Sequence, residues 1–357
     1  MEHIKKHFHT FDALRFISFL FVFLHHLPFS KNTFLYFFSK SGGIGVSFFF
    51  VLSGFLITYI LLFEKNTTGS IRLKNYFVRR ILRIWPLFYA MIIFAYISPS
   101  ILNLLGLSPS YNGYIPNWVT TVLFLENYKM MITNSFPDFA PLRVMWSLCV
   151  EEHFYIVWGV LLYWISIRKI PILIGICIAI ANISRIVYIN LGIETLDIFS
   201  NIDYFAIGAI PAYILINKPI ILKYFEDISL FFKNLITLLV FSLIIIAPNI
   251  NSIWILYLSP TFFAFLFGLI IVFTITKDKP LYINDKAWFS KLGIFTYGLY
   301  LIHTIVINFV LKLTSIFSFQ MNMIIIGFVS LIFTIVFSIF SYHLFEKQFL
   351  KFKKYFR

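Results

Sequence analysis

Apolar runs close to the length of a membrane span recur along the whole of this sequence, and nothing constrains its fold more. A helix needs about 20 such residues to cross a hydrocarbon core of about 30 Å. In lipid, every backbone N–H and C=O must also be satisfied within the chain. Composition agrees: 60% of the 357 residues are hydrophobic, 46 are Phe and 12% are charged. A soluble domain carries about 25% charged residues. A β-barrel would need alternating segments of about ten residues, and the runs at 16–24 and 235–247 do not alternate. The chain is therefore expected to be an all-α, polytopic integral membrane protein with about ten transmembrane helices. They are read at 10–29, 42–63, 84–105, 146–166, 171–191, 203–217, 235–249, 254–276, 292–312 and 322–344.

The net charge is +14, and its distribution has a topological meaning. With the N-terminus inside, 22 of the 29 basic residues fall in inner segments and five in outer ones. That asymmetry fits the positive-inside rule with both termini cytoplasmic, so the basic sum does not point to nucleic acid. Lys5 and Lys6 ahead of an apolar stretch imitate a signal peptide. Asp12 and Arg15 crowd that stretch and no A-x-A site follows, so it reads as a retained first span. No other targeting signal is seen, which suggests a bacterial inner (cytoplasmic) membrane. Residues 1–357 read as one membrane domain, with a basic cytoplasmic loop at 64–83 and an extracytoplasmic loop at 106–145. The segment 72–83 alternates basic with apolar side chains, as an interfacial helix does. The stretch 118–125 reads as a short helix dipping into the outer interface.

Ionisable residues within spans are the best pointers to chemistry, because each is costly in lipid unless paired or wetted. Arg15 and His26 are eleven residues apart. On a helix that is three turns plus about 20°, so both lie on one face, about 16 Å apart along the axis. Asp12 neighbours Arg15 on that face, whereas His25 points about 100° away and reads as structural. The pattern is either a snorkelling Arg with an interfacial His or a polar stripe crossing the bilayer. The fourth span opens with Glu151, Glu152 and His153. Carboxylates at a helix N-terminus are favoured by the macrodipole. Alternatively, one of them supports a proton-transferring His nearby. His153 has no second ligand at helical spacing, so no metal site is read. The two cysteines, Cys149 and Cys177, lie in spans without CxxC spacing. Arg80 and Arg83 share a helix face and suit bidentate phosphate binding, or else they serve only as inner charge against lipid headgroups. Ser53-Gly54 is a packing motif as readily as a nucleophile.

Taken together these residues resemble the membrane acyltransferase-3 family of bacterial envelope O-acyltransferases. Phe11-Asp12-Ala13-Leu14-Arg15 with His26 is similar to the family's opening R-x10-H signature, and Phe49-Phe50-Val51-Leu52-Ser53-Gly54-Phe55 to its second-span motif. Arg80-x-x-Arg83-Ile84-x-Pro86 resembles its R-x-x-R-I-x-P, and Trp146–Tyr155 its WSLxxEExFY. Tyr297-x-x-Tyr300-Leu301-x-His303 and Leu344-Phe345-Glu346-Lys347 complete six matches in family order. Cys149, His153, Thr296 and Gln348 depart from the usual Ser, Gln, Ser and Pro. The chain ends at Arg357, just past its last span, and in this it resembles members without an SGNH hydrolase-like domain.

The resemblance implies a cytoplasmic acyl donor, acetyl-CoA, and transfer to a hydroxyl of O-antigen, exopolysaccharide or another lipid-linked saccharide. Arg15, Arg80 and Arg83 would hold the CoA phosphates. His26 would act as general base or as a transient acyl carrier, with Glu151 or Glu152 orienting it. Ser53, Tyr297 and His303 are candidates for contacting substrate or the developing oxyanion. The bilayer and the glycan are the expected partners, with neither nucleic acid nor metal. The competing readings are a polysaccharide exporter on the same scaffold and a succinyl rather than acetyl transferase. The oligomeric state is not legible.

Overall fold

The computed structural model describes residues 8–104, 113–250, 252–318 and 321–356. Lys5, Lys6 and Arg357, and the expected outer loop before residue 113, lie outside the described residues. Among these residues there are no strands, only an isolated bridge between Tyr114 and Pro137. The long helices are α1 (Thr10–His26), α2 (Gly42–Thr68), α3 (Leu73–Leu104), α4 (Trp146–Trp164) and α5 (Ile170–Asn190). They continue as α6 (Ile198–Asn217), α7 (Leu230–Ile246), α8 (Ile253–Ile275), α9 (Thr296–Ile316) and α10 (Met323–Ser341). Each falls on one of the expected spans. Eight helical stretches among the described residues are long and apolar enough to cross a membrane; α1 and α4 are not in that set. The chain is an all-α polytopic membrane protein. Its helices show lipid-facing stripes: on α5, Ile172, Ile176 and Ile183 are 64%, 52% and 63% exposed. Their spacing of four and seven puts them on one face, where water would be unfavourable and acyl chains are not.

The basic segment 72–83 differs from the expectation of a separate interfacial helix. It forms the first turns of α3, which is 32 residues long. The physical reason is that its charges find partners along the helix. Arg79 donates to the Phe356 carbonyl at 2.7 Å and lies 3.5 Å from Glu64, while Arg80 sits over the Tyr155 ring at 5.6 Å. The stretch read as a short outer helix does form one, at Trp118–Val122.

By contacts the chain divides into two compact units. The first comprises Met1–His25, Phe29–Leu62 and Tyr204–Thr296. Its core is aromatic, with Phe48 stacked on Phe267 at 4.4 Å and Phe50 on Phe205 at 4.7 Å. Close helix approach depends on glycine here. A Cβ on Gly54 would lie 2.1 Å from the Phe205 carbonyl oxygen, and one on Gly208 would lie 2.1 Å from that of Val51. Lys233 is fully buried, and its ammonium donates to the Lys279 carbonyl at 2.9 Å.

The second unit comprises His26–Pro28, Phe63–Asp203 and Tyr297–Arg357. In it α3 and α4 run antiparallel. The Tyr76 ring faces Gly159, the Tyr76 hydroxyl donates to the Tyr155 carbonyl at 3.0 Å, and Trp85 lies opposite Glu152. The segment before α4 packs on the middle of α3, where Phe124 stacks on Phe88 at 4.0 Å. Buried Glu126 anchors that segment by accepting from Tyr114 at 2.5 Å, Thr120 at 3.0 Å and Thr121 at 2.8 Å. Burial, and then the bond to Glu126 and its charge, push the Tyr114 phenol pKa upward. At the other end of α4, the Lys65 ammonium donates to the carbonyls of Leu162, Tyr163 and Ile165 at 2.6, 3.1 and 2.7 Å. These are carbonyls that a helix C-terminus leaves unsatisfied.

Candidate active site

His26 is the last residue of α1 and His303 lies two turns into α9. The two rings meet with His303 Nε2 3.2 Å from His26 Nδ1, their centroids 4.8 Å apart and their planes at 74°. His303 is fully buried and its Nδ1 lies 2.7 Å from the Tyr300 carbonyl oxygen. One turn before His303, the Tyr300 hydroxyl lies 2.7 Å from Ser147 Oγ and 3.1 Å from the Val144 carbonyl. These bonds tie α9 to the start of α4. Adjacent His25 takes a different role: its Nδ1 lies 2.8 Å from the Ser39 carbonyl, in the first unit.

Arg80 and Arg83 stand on successive turns of α3. Arg80 lies abreast of Tyr155, nine residues and roughly 13 Å from the Trp164 end of α4. It is thus drawn in alongside the helix rather than held in a loop. Its Nε is buried without a hydrogen-bond partner among the described residues. Arg83 is exposed and acts electrostatically on Glu346, which is 8% exposed and accepts from Ser341 at 3.1 Å. Glu152 is 6% exposed; its Oε2 faces the Trp85 indole N–H at 3.4 Å, and its Oε1 is buried without a partner. Glu151 beside it is half-buried. The Tyr297 hydroxyl donates its single proton to the Ile84 carbonyl at 2.6 Å, just before Pro86 withdraws an N–H from the α3 ladder.

The second unit thus holds His26, His303, Arg80, Arg83, Glu151, Glu152 and Tyr297. Arg15 and Ser53 belong to the first unit. There Arg15 pairs with Asp12 at 2.5 Å, one turn away on α1, and half-buried Ser53 precedes the close-packing Gly54 on α2.

The sequence points to Glu151 or Glu152 as the partner of His26, whereas the structure sets His303 against it. The sequence pattern assigns no role to Trp85, Tyr155 or Arg79, and marks Glu346 only as part of a closing motif. Pro86 following Trp85, and an acidic residue closing the last motif, were the available signals. A group of three His, Cys, Asp or Glu side chains arranged to hold a metal ion does not occur among the described residues.

What this arrangement offers chemically is a half-buried imidazole backed by a second one, with guanidinium groups and carboxylates on neighbouring helices. An acyltransferase domain profile matches residues 8–343. The chain is 34% identical over 197 residues to the peptidoglycan O-acetyltransferase OatA of Listeria monocytogenes, which covers 52% of this chain and 30% of that protein. It is 34% identical over 157 residues to Bacillus subtilis YrhL, provisionally named a peptidoglycan O-acetyltransferase, covering 42% of this chain and 23% of that one. It is also 26% identical over 373 residues to a provisionally named O-acetyltransferase of Staphylococcus aureus, covering 95% of this chain and 57% of that one. These matches therefore span between about a quarter and somewhat over half of the relatives' own lengths. No solved structure matches the chain.

Proposed function

The chain belongs to the membrane acyltransferase family whose domain extends over residues 8–343, and from that premise we propose that it moves an acetyl group from acetyl-CoA to a hydroxyl of a cell-envelope glycan. The names of its relatives make peptidoglycan the favoured glycan class. The observation that carries the reading is the His26–His303 contact, because transfer to a hydroxyl needs a base within hydrogen-bond reach of its proton.

In this reading the acceptor hydroxyl gives its proton to the His26 imidazole as its oxygen attacks the thioester carbonyl carbon. The tetrahedral intermediate then expels the CoA thiolate by breaking the C–S bond. The imidazolium returns its proton to that sulfur, so ester and free thiol leave a neutral His26. Arg80 and Arg83 hold the donor phosphates by charge-assisted hydrogen bonds. The buried Nε of Arg80, and its seat on Tyr155 inside the helix pair, fit a polar group entering along α3. Glu152 keeps an acceptor atom free for a sugar hydroxyl or a pantetheine amide. The charge asymmetry supports donor entry from the cytoplasm in a bacterial inner membrane, with both termini on that side.

Comparing the O-acetyl content of envelope glycans between a deletion strain and its complemented parent tests the reading. Loss on deletion and return on complementation are expected; unchanged O-acetylation contradicts it.

A further inference from the structure

The His26–His303 contact has a direction. A carbonyl oxygen only accepts, so the 2.7 Å bond between His303 Nδ1 and the Tyr300 carbonyl requires the proton on that Nδ1. In a neutral ring the other nitrogen, Nε2, is then an acceptor. His303 is fully buried and its Nε2 faces His26 Nδ1 at 3.2 Å, so the shared proton sits on His26 Nδ1. From this chain of bonds we propose that His303 is a positioning residue that fixes the tautomer of His26, leaving His26 Nε2 as its basic nitrogen. The relay runs from the Tyr300 carbonyl through the His303 ring to His26, entirely within the second unit. It does for this imidazole what a carboxylate does for the histidine of a hydrolase triad: it selects the nitrogen that carries the proton and sets the ring plane. A neutral partner does so without placing a second charge in an apolar site.

Two other features fit the assignment. The helix geometry that brings the Tyr300 carbonyl to His303 is local, one turn of α9, so the orienting bond survives small movements of α1. The Tyr300 side chain is itself fixed on Ser147 and Val144, which holds that turn of α9 against α4.

The inference rests on His26 acting as the base, but its first test does not. In protein labelled with ¹⁵N-histidine and reconstituted in lipid, nitrogen NMR should show His26 protonated on Nδ1 and pyridine-like on Nε2, with no donor or acceptor present. His303→Leu should abolish that preference, and His303→Gln should retain it because the amide oxygen replaces Nε2 as acceptor. For transfer, His303→Leu should lower kcat by at least about 10-fold, below the about 10²–10⁴-fold contribution of the base itself. KM for acetyl-CoA should stay unchanged, and His303→Gln should recover most of the loss. A His26 protonated on Nε2 in the wild-type protein overturns the relay whatever the activities are. A correct tautomer together with full activity of His26→Ala overturns the reading of His26 as base and leaves the relay standing. Equal losses for the Leu and Gln variants would reduce His303 to a packing residue.

Discussion

Among the described residues, Arg185 and Asp203 form the deepest ion pair in the second unit, and replacing them separates a structural staple from a proton path. Arg185 is 2% exposed and Asp203 is fully buried. The guanidinium grips the carboxylate with two bonds, at 3.2 and 2.6 Å. Removing one member of such a pair strands a charge and costs about 3–5 kcal/mol. Replacing both by apolar side chains of similar volume is neutral or stabilising by about 1–4 kcal/mol. Asp203→Leu and Arg185→Met should therefore each destabilise strongly, while the double variant should recover to wild type or above. The coupling energy from the double-mutant cycle should then equal in size the sum of the two single losses. The assay is reversible unfolding in mixed micelles or bicelles, followed by the transfer rate of each variant that folds. The double variant should transfer acetyl at close to the wild-type rate, since the pair's two bonds set one charge against the other. A double variant as unstable as its worse single parent would refute the staple. A stable but inactive one would make the pair part of the chemistry.

Other outcomes follow from the same geometry. Arg80→Ala and Arg83→Ala should weaken acetyl-CoA binding by about 1.5–3 kcal/mol for each charged hydrogen bond lost. Lys at these positions should restore only part, because it lacks the planar fork. Unchanged titration of the double alanine variant with CoA would assign the pair to topology alone. Lys65→Met should free the last carbonyls of α4 and lower the unfolding midpoint, with a midpoint unmoved by the change contradicting the cap. In sealed vesicles, a cysteine placed at Asn66 should react with an impermeant thiol reagent only from the cytoplasmic side and one at Asn134 only from the other. Labelling of both from one face would contradict the topology. The raised phenol of Tyr114 stabilises the fold below its unfolded pKa of about 10. That contribution is lost as pH rises through the folded value, so Tyr114→Phe should flatten the alkaline limb of a stability profile; an unchanged limb would contradict this.

Much of this molecule was legible in the sequence because lipid leaves the chain so few options. Continuous apolar runs became helices at the expected places, and α1 runs unbroken through Arg15 and His26, as their eleven-residue spacing requires. The family motifs were local strings and needed no tertiary knowledge. What could not be read was which strings meet. His26 and His303 are 277 positions apart, and no periodicity joins them. The alternating segment 72–83 was ambiguous by itself. Its incorporation into α3 depends on Glu64, on the Phe356 carbonyl and on the Tyr155 ring, all contributed from elsewhere. Arg185 and Asp203 fall within two of the expected spans, 171–191 and 203–217, but only the contact between α5 and α6 makes them a pair.

Acetyl transfer by the purified protein in liposomes is the decisive assay. Acetyl-CoA is supplied on the side of Asn66 and an envelope glycan acceptor on the other, with ester formation read by mass spectrometry. Transfer is expected from the wild-type protein, with a fall of at least about 100-fold in His26→Ala and a far smaller change in His25→Ala, whose imidazole bonds the Ser39 carbonyl. Equal rates for the wild-type and His26→Ala proteins, with both correctly inserted, would contradict the assignment of His26 as the base.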